Sequence, residues 1–156
     1  MMISPTAEYA LRAVVALGQQ RGEPLTTSKV AELTRVPSGY LAKVLQILGR
    51  AGLVVSRRGL GGGFVLSRPA AEITVLDVVN AVDPITRIET CPLNIPSHGA
   101  NLCPLHHRLD TAIASVERSF AETSIEELLA EPGRSSPLCT TEPGLVSIGI
   151  GLRKKE

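Results

Sequence analysis

Seven consecutive residues, Arg57-Arg58-Gly59-Leu60-Gly61-Gly62-Gly63, separate two short β-prone runs, and they leave this chain few folds to choose from. Leu53-Val54-Val55-Ser56 before the loop and Phe64-Val65-Leu66-Ser67 after it read as the strands of one hairpin. Glycines at the turn let the backbone take positive φ and approach another surface closely. A phosphate-cradling loop has a similar composition, but such loops open a helix, and the Walker form ends in Lys followed by Ser or Thr. Here a strand follows and that ending is missing, so the loop is read as a hairpin tip.

What precedes the hairpin narrows the choice further. Ser4-Pro5 reads as an N-cap with proline at the first helical position, and Ala10, Leu11, Val14, Val15 and Leu17 supply a helical stripe that ends near Gly18. Gly22 and Pro24 make a connection. Thr26 or Thr27 caps a short helix carrying Val30, Ala31 and Leu33, and Val36-Pro37-Ser38 breaks and restarts the chain. Leu41, Val44, Leu45 and Leu48 then recur at i, i+3, i+4 and i+7 until Gly52. Two helices joined by a tight turn form a helix-turn-helix, and a hairpin directly after the second helix is a wing.

Charge divides the chain in the same place. Residues 1–70 hold nine Lys or Arg against Glu8, Glu23 and Glu32, a balance of +6, whereas the remaining residues carry −5. A basic half of this kind suits a polyanion. If the apolar stripe of the second helix faces the core, Gly39, Ala42, Lys43 and Gln46 lie opposite, with Ser38 at the helix start. Lys43 and Gln46 can hydrogen-bond base edges, and Ser38 and Tyr40 suit phosphates. Arg57 and Arg58 suit phosphates or a narrow minor groove, and Gly61 and Gly62 allow the wing's backbone to come close.

The second half is expected to sense something. Thr74 to Val82 reads as a short helix ended by Asp83-Pro84, and a loop rich in Pro, Gly and polar residues runs from Thr86 to Leu102. Leu105, Leu109, Ala112, Ile113, Val116 and Phe120 then make a long amphipathic helix, and Ser124 caps a brief last one with Ile125, Leu128 and Leu129. After Pro132 periodicity fades, and the tail reads as loose. Three cysteines, an odd number, do not suit a disulfide scaffold. Cys91 and Cys103, with eleven residues between them, and His106, with two residues between it and Cys103, put two thiolates and an imidazole within reach of one metal site. Iron–sulfur clusters favour thiolates and accept imidazole on one iron. Zinc, a thiol switch and inert cysteines remain open on the residues alone.

The runs Tyr40-Leu41, Gly52-Leu53-Val54, Arg58-Gly59-Leu60-Gly61-Gly62-Gly63-Phe64-Val65-Leu66 and Ile73-Thr74-Val75 leading to Asp77-Val78-Val79 resemble the IscR/NsrR-type (Rrf-two) family of bacterial regulators over roughly residues 1–130. The resemblance implies a homodimer of winged-helix subunits joined by the long C-terminal helix and bound to a pseudo-palindromic operator. It also implies an iron–sulfur cluster in many members and none in others, and it is the reason for preferring a 2Fe–2S cluster to zinc. Cluster-bearing relatives usually place three cysteines before the long helix; here Ser97 and His98 stand where the middle one would be. Cys91 and Cys103 are then joined by His106, which matches a ligand position in the iron–sulfur subgroup, and by Glu8, where some relatives use a carboxylate, on the first helix of the same or the partner subunit. His98, His107 and Cys139 are further candidates.

The fold expected is mainly α with a small β-hairpin: a winged helix-turn-helix over 1–70, a sensor loop and dimerisation helices over 71–131, and a flexible tail over 132–156. The function expected is a dimeric DNA-binding transcription regulator that senses redox state, iron or nitric oxide through an iron–sulfur cluster. The alternatives are a cluster-free thiol-switch regulator and a metal or iron–sulfur binding protein with a degenerate winged helix. No catalytic constellation stands out: His106 and His107 lack a nucleophile partner on a strained turn. No basic-then-apolar leader and no apolar run of ~20 residues is visible, which makes the cytoplasm the expected location.

Overall fold

The computed structural model describes residues 3–92, 102–131 and Leu138. Ser97, His98, Cys139 and the expected loose tail, Leu138 apart, lie outside the described residues.

Helix α1 (Pro5–Gln19) is the axis of the fold. Ser4 caps it by accepting a hydrogen bond from the Ala7 amide at 3.2 Å, which satisfies one of the donors a helix start leaves unpaired. Its alanines let neighbours pack close: Ala7, Ala10, Ala13 and Ala16 are completely buried alongside Val14 and Leu17. Helix α2 (Thr27–Thr34) is capped by Thr26 and ends in Arg35, whose left-handed backbone (φ 55°) turns the chain sharply. Three residues later α3 (Ser38–Arg50) begins, and it buries Leu41, Val44, Leu45 and Leu48, the four that periodicity assigns to the core.

The wing is an antiparallel pair, β1 (Val54–Arg57) and β2 (Gly63–Leu66), with Val54 opposite Leu66 and Arg57 opposite Gly63. The ladder starts one residue later and ends one residue earlier than the strands expected at 53–56 and 64–67. Leu53 is buried in the core, and Ser67 closes the hairpin's base outside the ladder, its amide donating to the Leu53 carbonyl at 3.1 Å and its hydroxyl to the Gly52 carbonyl. A bridge between Leu25 and Phe64, absent from the sequence reading, ties the connection before α2 to β2.

A single 3₁₀ turn (Ala70–Glu72) leads to α4 (Val75–Val82), which opens on a reciprocal capping box between Thr74 and Asp77. Helix α5 (Pro104–Glu122) has no buried residue. Beyond it α6 (Ile125–Ala130) opens on a second capping box, Ser124 with Glu127. The Val75 amide donates to the Thr123 carbonyl and the Ile125 amide to the Ile73 carbonyl, so the starts of α4 and α6 are stitched together. Ile73, Val78 and Ile125 share one core with Leu17, Leu41, Leu45 and Leu48. The helix-turn-helix is therefore packed directly on the elements that follow it. Among the described residues no helix is long and apolar enough to cross a membrane.

Candidate nucleic-acid interface and thiol site

Burial of one α3 stripe leaves the opposite face in solvent: Ser38, Gly39, Tyr40, Ala42, Lys43 and Gln46 are all exposed. Pro37 precedes α3 without a side-chain cap. Lys43 and Gln46 lie three residues apart and so project from neighbouring turns of one face. Arg57 and Arg58 are exposed on the wing, and Arg57 donates through Nη1 to the Gly22 carbonyl at 3.3 Å. The wing's tip is shaped by its glycines. Gly59 and Gly61 have φ of 100° and 75°, and the Gly62 amide closes the turn on the Gly59 carbonyl at 2.9 Å.

Tyr40 has an architectural connection that the sequence reading missed. Its hydroxyl is hydrogen-bonded to the Thr6 hydroxyl, and its ring meets that of Tyr9 edge-on with centroids 5.6 Å apart. The Arg12 guanidinium lies over Tyr9 at 5.8 Å, pairs with Glu8 and donates to the Thr34 carbonyl at 3.2 Å. One α1 face thus grips both the end of α2 and the start of α3. The i,i+4 spacing of Glu8 and Arg12 was a readable signal for part of this array.

At the other end, Cys103 is the N-cap residue of α5, and its Sγ lies 3.2 Å from His106 Nδ1. Cys91 is buried and Cys103 partly so, and neither is in a disulfide among the described residues. The segment leading to Cys91 is clamped to α5. Arg87 grips Asp110 with Nε and Nη2, reaches Glu117 at 3.5 Å, and the Ile88 amide donates to Asp110 at 2.9 Å. The Arg87 guanidinium, followed by the Ile88 amide, lowers the Asp110 carboxyl to about 2, and Asp110 in turn holds Arg87 above its ordinary range. The clamp was not legible, because 23 residues separate its partners.

The structure therefore brings Cys103 and His106 together and leaves Glu8 with Arg12 on α1. Among the described residues of one chain, no three of His, Cys, Asp and Glu are grouped as a metal site. The four expected ligands do not fit a closed cluster site within a single chain. On the apolar side of α5, Leu105 and Leu109 are exposed and Ile113, Val116 and Phe120 half-buried.

A profile of the Rrf2 family, described as an iron-dependent transcriptional regulator, matches residues 3–131. A protein of Aquifex aeolicus (strain VF5), named as a candidate HTH-type transcriptional regulator, is 29% identical over 132 residues, or 83% of this chain and 92% of that one. Among solved structures, CymR (YrzC), the global cysteine regulator of B. subtilis, superposes with a TM-score of 0.71 at 24% identity, covering 85% of this chain and 99% of that one. IscR of T. potens gives 0.68 at 23% identity, covering 83% of this chain and 87% of that one. The last two likenesses establish the shared fold.

Proposed function

The chain belongs to the Rrf2 family of transcriptional regulators, which are not enzymes, and we propose that it is a cytoplasmic homodimer that binds operator DNA through α3 and the wing and answers to a signal received around Cys103. The observation that carries the DNA reading is the exposed α3 face of Ser38, Tyr40, Lys43 and Gln46, followed at once by a wing that exposes Arg57 and Arg58. Lys43 and Gln46 are assigned to base edges. Ser38, the wing arginines and the close-approaching backbone at Gly61 and Gly62 are assigned to phosphates and sugar. Tyr40 has its hydroxyl shared with Thr6, so its contribution combines a phosphate contact with fixing the helix start. The unburied stripe of α5 supports a second copy packed along it, which would set two recognition helices about one DNA turn apart.

The division of labour follows the same reading: 1–70 contacts DNA, 71–131 senses and dimerises, and 132–156 is a tail. For the sensor, the contact between Cys103 and His106 is the supporting observation. A 2Fe–2S cluster would draw on Cys91, Cys103 and His106, with Glu8 of a second copy as the remaining ligand. A thiol switch would need only the cysteines. Visible absorption of anaerobically reconstituted protein separates the two.

The DNA reading is tested by titrating a duplex, selected by the protein from a random pool, at several salt concentrations. Each neutralised phosphate contributes about 0.9 to the slope of log K against log salt. Replacing Arg57 and Arg58 with alanine should flatten that slope by up to about 2 and weaken binding. Unchanged affinity and slope would remove the wing from the interface.

A further inference from the structure

We propose that Leu60 is an apolar DNA-contacting residue, which the wing carries into the minor groove next to the major groove occupied by α3. The proposal rests on the DNA-binding reading above and adds a residue that responds to the groove's floor and not to its charge.

Leu60 is 110% exposed, whereas Tyr40, Val55, Leu105 and Leu109, the other exposed large hydrophobics among the described residues, reach 64% at most. Tyr40 leans on Tyr9, and Leu105 and Leu109 belong to the apolar stripe of α5. Leu60 alone of these stands at the apex of a turn, with its side chain entirely in water.

The turn that presents it is built without slack. Gly59 and Gly61, on either side of Leu60, hold positive φ, and the amide of Gly62 bonds back to Gly59. A Cβ on Gly62 would stand 2.4 Å from the Arg57 carbonyl oxygen, and one on Gly63 2.4 Å from that of Leu25. The tip is thus a preorganised projection, which needs little ordering when it meets a partner.

Charge names the partner. Arg57 and Arg58 lie immediately before the tip, in a half of the chain with a net charge of +6. With guanidiniums on the phosphate walls, the apex faces a groove about 6 Å wide and about 7.5 Å deep. Minor-groove binders place apolar side chains, leucine among them, against or between base steps there. Only Ala51, Gly52 and Leu53 separate α3 from β1, so the wing lies beside the recognition helix and reaches the adjacent groove. An exposed leucine that served no contact could have been any polar residue, since nothing in the turn's geometry requires it.

The test uses the full-length protein and a 25-base-pair duplex selected by it from a random pool, about that length being needed for two half-sites one turn apart. Leu60→Ala should weaken binding about tenfold with an unchanged salt slope, since it removes buried apolar surface and no charge. Leu60→Met should retain wild-type affinity. Replacing guanine by inosine in the duplex removes the minor-groove amino group and leaves the major-groove edge intact. It should alter wild-type affinity and leave that of Leu60→Ala unaffected. Equal affinity of wild type and Leu60→Ala, or an equal response of both to inosine, overturns the proposal. Failure of the wild type to select any duplex would instead overturn the DNA-binding reading beneath it.

Discussion

Gly63→Ala should destabilise the protein through the backbone of a different segment. Gly63 opens β2, and a Cβ there would lie 2.4 Å from the Leu25 carbonyl oxygen, 2.5 Å from its carbon and 2.9 Å from the Thr26 amide nitrogen. All three are main-chain atoms, so no rotamer change relieves the overlap. The strands must part, and the two hydrogen bonds of the bridge, Leu25 amide to Phe64 carbonyl at 3.0 Å and the reverse at 2.8 Å, are lost or stretched. Each contributes roughly 0.5–1.5 kcal/mol net. Thr26, the N-cap of α2, moves with Leu25 and loosens a cap worth about 1 kcal/mol. The expected loss is about 2 kcal/mol, or roughly 4–8 °C in Tm for a chain of this size. Gly49→Ala is the matched control. Its Cβ would have one ordinary contact, 3.8 Å from the Val54 carbonyl oxygen, on an exposed face of α3. That substitution should stabilise by roughly 0.5–1 kcal/mol, because alanine restricts the unfolded chain and favours helix. Urea unfolding of the three proteins reads both effects. A Gly63→Ala midpoint at or above that of wild type would refute the argument that the Leu25–Phe64 bridge closes the base of the wing.

Asp110→Asn should remove a stabilisation that is fully present above the ordinary carboxyl value of 3.8 and is lost as pH falls through about 2. The gap between wild type and variant in urea midpoint should therefore be constant near neutrality and shrink toward pH 2; a gap that persists unchanged would place its origin elsewhere. Leu109→Asp should yield monomers in sedimentation velocity at micromolar concentration, since it sets a charge into the stripe assigned to the dimer; a variant that stays dimeric with the wild type would move the interface off this stripe. If the reconstituted wild type has visible absorption, Cys91→Ala and Cys103→Ala should each abolish it and Cys139→Ala should not. Loss confined to the Cys139 variant would contradict the ligand assignment.

Most of the fold was legible because its signals are local. Ser4, Thr26, Thr74 and Ser124 each cap a helix through their own side chain, and the α3 stripe at 41, 44, 45 and 48 is buried as periodicity requires. The hairpin ends slipped by a residue because Leu53 looks β-prone but is claimed by the core, a tertiary effect that no short run reveals. The site divides likewise. Exposure of Lys43 and Gln46 follows from helical phase, and the juxtaposition of Cys103 and His106 from i,i+3 spacing across the helix start. The engagement of Tyr40 by Thr6 and Tyr9, and the grip of Arg87 on Asp110, depend on how distant segments pack.

Hydroxyl-radical footprinting of the wild-type protein on a duplex it has itself selected tests whether a dimer reads DNA with α3 and the wing. Two equivalent protected half-sites should be centred about 10 base pairs, or a multiple of that, apart, with two protein chains bound per duplex. A single protected half-site bound by one chain, or no duplex recovered at all, would contradict it.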